Sequence, residues 1–124
     1  MNKAQQLPLY LKIYQLIKML NEVIRNFPRY HKYILGEEMI KLAWQCLDLV
    51  LEANSLPNEE KSQKISELSL VFDKLKLRLR MSQELNLVSK NQYAHLQTNY
   101  SMEIGKMIGA WLKWANTLKQ RKIA

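Results

Sequence analysis

Apolar side chains recur at steps of three and four along almost the whole chain, and no run alternates apolar with polar residues between turn signals. A period near 3.6 places such residues on one stripe of an α-helix, whereas a strand needs a period of two. The chain is therefore expected to be all-α. Leu9, Ile13, Leu16, Ile17, Leu20, Ile24 and Phe27 form the first stripe, with Lys18, Glu22, Arg25 and Arg29 opposite, predicting a helix from about 9 to 26. Pro28 closes it, because proline cannot extend the backbone ladder and disfavours helical geometry in the residue before it.

A second helix is expected over 34–53, burying Gly36, Ile40, Ala43, Leu47, Val50 and Leu51 and exposing Glu38, Lys41, Gln45, Asp48 and Glu52. The sequence Asn54-Ser55-Leu56-Pro57 ends it. A third helix is expected over 58–84, capped by Asn58 with Glu59 and Glu60 at the positive end of its dipole, and burying Ile65, Leu68, Phe72, Leu75 and Leu79. Ser89-Lys90-Asn91-Gln92 has the capping-box pattern and opens a fourth helix, 90–119, along which Tyr93, Tyr100, Ile104, Met107, Trp111, Trp114 and Leu118 repeat. Four helices joined by short connections predict one domain, 1–124, built as an up-down-up-down antiparallel four-helix bundle with the last helix longest.

Two helices carry more apolar residues than one stripe needs. Leu70, Leu77 and Met81 lie opposite the buried row of the third helix, and Leu42 and Leu49 lie beside the polar stripe of the second, with Met39 and Cys46 between core and rim. Aligned exposed apolar rows mark an interface, so Leu42, Leu49, Leu70, Leu77 and Met81 are expected to join copies of the chain. Gly105 and Gly109, one turn apart, suggest close approach of another backbone on their flank, expected first from a helix of the same bundle. Each costs a helix interior roughly 0.5–1 kcal/mol relative to alanine, a cost that makes sense where another backbone approaches.

Charge is the informative part of the composition. Nineteen Lys and Arg against eleven Asp and Glu give +8, which favours acidic partners. The excess sits at the two ends: residues 1–34 and 89–124 each carry six basic side chains and one acidic one. Lys18, Arg25 and Arg29 form a basic line on the first helix, continued by Lys32. Lys76 and Arg80, four residues apart, share one face of the third helix with Arg78 nearby, and Lys119, Arg121 and Lys122 cluster near the end. Such rows supply sequence-independent affinity for phosphate backbones that falls with salt.

Other chemistries lack their residues. No Glu is followed three positions later by His, as di-iron bundles require, and His31, His95 and the single Cys46 have no ligand-type neighbours at metal spacing. There is no phosphate-binding glycine loop or nucleophile motif, and Asp48 and Glu52 share their stripe with Lys41 and Gln45 as a solvated face. No enzyme activity, metal or cofactor is expected. Lys12 and Lys18 interrupt the first apolar stretch, so no membrane span is expected and a cytoplasmic location follows.

Three stretches carry a family resemblance: Phe27-Pro28-Arg29 leading to Gly36-Glu37-Glu38-Met39, Leu75-Lys76-Leu77-Arg78-Leu79-Arg80, and Ile104-Gly105-Lys106-Met107-Ile108-Gly109-Ala110-Trp111-Leu112. With the helix spacing, they make the chain resemble the four-helix-bundle superfamily of the large-subunit rRNA intervening-sequence proteins. It is more similar still to the accessory variability determinant (Avd) proteins of diversity-generating retroelements. The resemblance implies a non-catalytic homo-oligomer, pentameric in Avd proteins, that forms a basic barrel. It also implies partnership with a reverse transcriptase and its template RNA in mutagenic complementary-DNA synthesis. Lys76 and Arg80 match the paired basic positions of such proteins, with Lys76 standing where Arg is expected, and Arg78 adds a charge outside that pattern. The alternative is an interaction bundle of the intervening-sequence type with no nucleic-acid role.

Overall fold

The computed structural model describes residues 3–123, with side chains described from Pro8 to Arg121. Its described residues form four long helices and no strand. The first spans Lys3–Arg25. It begins earlier than the apolar stripe because Pro8, near a terminus whose first amides have no helical partner, removes only one bond.

Pro28 (φ −55°, ψ 148°) is an extended hinge, and the second helix starts at once beyond it. It runs as Arg29–His31, a wide π segment Lys32–Gly36, and Glu37–Ser55. The third helix is Ser62–Glu84, preceded by a 3-10 turn, Asn58–Glu60, that takes the place of the expected Asn58 cap. It ends in a Schellman motif: Asn86 adopts φ 61°, Asn86 N donates to Gln83 O and Leu87 N donates to Ser82 O.

The fourth helix opens with the expected capping box, in which Gln92 N donates to Ser89 Oγ (3.1 Å) and Ser89 N donates to Gln92 Oε1 (3.2 Å). It continues through Lys90–Leu96, a π segment Gln97–Ser101, and Met102–Ile123, and is the longest of the four. Each helix packs on its chain neighbours, and the fourth returns to touch the first. Lys12 ties that last contact, 2.9 Å from Glu103 and 5.3 Å from the centroid of the Tyr100 ring.

All seven expected residues of the first helix and all five of the third are buried. The second helix is turned relative to expectation. Met39, Cys46 and Leu49 lie in the core, Ile40 is half-buried, and Leu51 is exposed. The third helix packs against the flank that carries Leu42 and Leu49, bracketed by ion pairs Glu38–Arg78 (2.7 Å) and Lys64–Glu52 (3.4 Å). Burial of Leu49 against the chain's own third helix removes it as an intersubunit contact, and half-buried Leu42 packs against the same core. Desolvation in that core pushes the Cys46 thiol from its ordinary 9.0 up to about 12, so it stays protonated and unreactive.

Gly36 sets the corner between the first two helices. A Cβ there would come within 2.5 Å of Ile24 Cγ2, so the close approach of the two helices requires glycine. Gly105 and Gly109 have no such role within the chain. A Cβ on Gly105 would meet only Phe72, at 3.9 Å, and one on Gly109 would meet nothing within 4 Å.

Candidate nucleic-acid interface

Lys76 leaves the third helix on the side that faces the fourth. It lines an open cleft of about 520 Å³ together with Gln97, Ser101, Met102, Gly105 and Lys106. Gly105 contributes only backbone to the wall of this cleft, and the π segment Gln97–Ser101 forms one end of it. The Lys76 ammonium rests 3.2 Å from Asp73 Oδ1 and 5.3 Å from the centroid of the Phe72 ring. Both partners lie on its own helix, so the ammonium is held at the surface without being buried.

Arg80, one turn further, is exposed and 3.6 Å from Glu84. Arg78 behaves differently. Its guanidinium donates to Glu38 Oε1 (Nε, 2.9 Å) and to Lys74 O (Nη1, 3.1 Å), tying the third helix to the second. It therefore faces away from the cleft that Lys76 lines, and the structure does not bring it into one patch with Lys76 and Arg80. A solvent-exposed pair such as Lys76–Asp73 contributes little to stability and opens readily, whereas an interhelical Arg–carboxylate contact fixes geometry.

On the first helix Lys18 is exposed above the Tyr14 ring, 5.4 Å from its centroid. Arg25 lies further along and lines a second open cleft, about 430 Å³, with Asn21, Glu22, Ile24 and Lys32. Arg29 stands just past the hinge with its guanidinium 6.0 Å from the Tyr33 ring centroid. Lys119 and Arg121 are exposed at the far end of the fourth helix, while the Lys122 side chain lies outside the described residues.

Sequence reasoning did not single out Lys106, which becomes part of the site only because the third and fourth helices pack with Lys76 and Gly105 side by side. No spacing within one helix carries that signal. Of the expected interface row, Leu70, Leu77 and Met81 are exposed, at 57%, 59% and 45%. Among the described residues no group of three or more His, Cys, Asp or Glu could hold a metal ion, and no helix is long and apolar enough to cross a membrane.

Fold and surface together define a small all-α protein with two open clefts that each carry two cations. A family model described as bAvd-like matches residues 8–115, and the chain belongs to that family. No curated protein and no solved structure matches it.

Proposed function

We propose that the chain is a nucleic-acid-binding accessory subunit that associates with a retroelement reverse transcriptase and its template RNA and supports mutagenic complementary-DNA synthesis. The observation that carries this reading is the convergence of Lys76 and Lys106 on one open cleft in a member of the bAvd-like family. Two ammonium groups beside an open surface suit a phosphate backbone, which gains affinity from each counterion that a lysine displaces. Asp73 and Glu84 are exposed partners that phosphate readily replaces. The role needs no catalytic group from this chain, since the polymerase supplies the chemistry.

The working form is a cytoplasmic homo-oligomer, a pentamer in this reading, of up-down-up-down antiparallel bundles. Contacts that pair Glu38 with Arg78 and Glu52 with Lys64 support the antiparallel order, as do those that place Ser62 against Asn116 and Phe72 beneath Gly105. The exposed row Leu70, Leu77 and Met81 supports subunit contact, and so does the open flank at Gly109.

Two variants test these points separately. Lys76→Ala combined with Arg80→Ala is expected to weaken binding to structured RNA about tenfold or more and to lower the salt slope by about two. Helicity and oligomer size should not change, and a loss of folding would make the pair structural. Leu77→Glu is expected to reduce the particle mass in light scattering towards the 14.7 kDa of one chain; an undiminished mass would remove this row from the interface.

A second reading, an interaction bundle without a nucleic-acid role, draws on a specific observation. Each of Lys76, Arg78 and Arg80 has a carboxylate nearby, at 3.2, 2.7 and 3.6 Å. It predicts no RNA binding at low salt.

A further inference from the structure

The corner between the first two helices presents aromatic rings where a folded chain ordinarily hides them. Tyr30 is 70% exposed, Tyr33 62% and Ile34 55%. Tyr30 and Tyr33 are three residues apart on the opening turns of the second helix, so they stand on neighbouring positions of one face. The Arg29 guanidinium lies 6.0 Å from the Tyr33 ring centroid, and Arg25 and Lys32 line the neighbouring cleft between the first two helices. The described structure contains no ion pair involving any of these three cations, although Glu22 lines the same cleft as Arg25 and Lys32. On the third helix, by contrast, Lys76, Arg78 and Arg80 all have carboxylates at hand.

The platform is also rigid. Phe27, just before the hinge, is buried in the core, with its amide donating to Ile24 O (2.9 Å), and Lys32 N donates to Pro28 O (2.9 Å). Gly36 allows the turn to close on Ile24. The backbone that carries the rings is therefore ordered before any ligand arrives, which lowers the ordering entropy that opposes binding.

We propose that this corner is a binding site for an unpaired nucleic-acid strand, with bases stacking on Tyr30 and Tyr33 and phosphates meeting Arg25, Arg29 and Lys32. Exposed aromatic rings beside unneutralised cations are what a single strand requires, because an unstacked base offers a π face and a duplex does not. An anionic membrane is disfavoured by the same surface: Ile34 is the one aliphatic side chain of the group, too little apolar area to enter a bilayer. This inference rests on the nucleic-acid reading above and extends it by dividing the labour. The Lys76–Lys106 cleft takes backbone of any form, whereas the tyrosine corner selects strand that is not base-paired.

The test uses the full chain in its native assembly, with fluorescein-labelled oligo(dT) of about 16 nucleotides, the upper end of the range such platforms cover, and a duplex of the same length. Tyr30→Ala with Tyr33→Ala is expected to weaken oligo(dT) binding about tenfold or more while changing duplex binding less than twofold. Tyr30→Phe with Tyr33→Phe keeps the rings and is expected to bind as the parent does. The proposal is overturned if the alanine variant binds oligo(dT) as the parent does, if it loses single strand and duplex equally, or if it instead releases phosphatidylserine vesicles. Absence of binding to either oligonucleotide by the parent defeats the broader nucleic-acid reading, which separates the two failures. Both rings are exposed and neither makes a hydrogen bond with another described residue, so the variants should retain the fold; circular dichroism confirms that before binding is measured.

Discussion

Trp111→Ala is expected to lower the unfolding free energy by about 3–5 kcal/mol, the cost of emptying a large aromatic site in a core that cannot fully collapse. Trp111 is 0% exposed on the fourth helix, among the core residues that also include Ile104, Ile108 and Ala115. Since small domains are stable by only about 5–15 kcal/mol, this one change removes a large share of the total. Trp111 Nε1 is buried without a hydrogen-bond partner among the described residues, and an orphaned donor is itself unfavourable. Trp111→Phe abolishes that donor while keeping most of the ring, so it is expected to lose much less than Trp111→Ala. Denaturant unfolding followed by circular dichroism compares the two. Equal losses would mean that the site is not packed as described.

Lys61→Ala is expected to cost about 3 kcal/mol, although Lys61 is a lysine in a linker and carries no apolar pattern. Its side chain runs back into the end of the second helix. There the ammonium donates to Ala53 O (2.8 Å), Asn54 O (3.1 Å) and Leu56 O (2.6 Å), with the residue only 3% exposed. The last carbonyls of a helix have no intrahelical partner, and a cation there also meets the negative end of the dipole. Removing the ammonium leaves buried acceptors unmatched.

Burial pulls the Lys61 pKa below its ordinary 10.5. Between the lowered value and 10.5 the unfolded chain binds more protons than the folded one, so this group adds stability as pH rises through that window. The gap between wild type and Lys61→Ala should therefore widen on the alkaline side. A gap that narrows there would contradict the stated cause of the shift.

These two residues show what a sequence conveys. Ile13, Leu20, Leu68 and Leu75 follow from periodicity alone, because burial of a helical face imposes that spacing. The Ser89 capping box was legible for a similar reason: it is a local contact encoded within four residues. Leu49 and Leu51 were exchanged because they are two positions apart on a helix with apolar residues on both flanks, and only the docking of the third helix decides which flank is covered. Lys61 was illegible because its partners are backbone carbonyls, which no side-chain pattern announces. The candidate site follows the same division. Lys76 and Arg80 were visible as a spacing, whereas the partnership of Lys76 with Lys106, and the diversion of Arg78 to Glu38, depend on which helices meet.

The central claim is that cations on this bundle hold a polyanion, and the salt dependence of RNA binding tests it most directly. Affinity for a structured RNA, titrated from about 50 to about 200 mM salt, should fall along a straight line in log–log form with a slope set by the number of phosphates engaged. Binding that is absent at the low end, or that holds constant as salt rises, would contradict it.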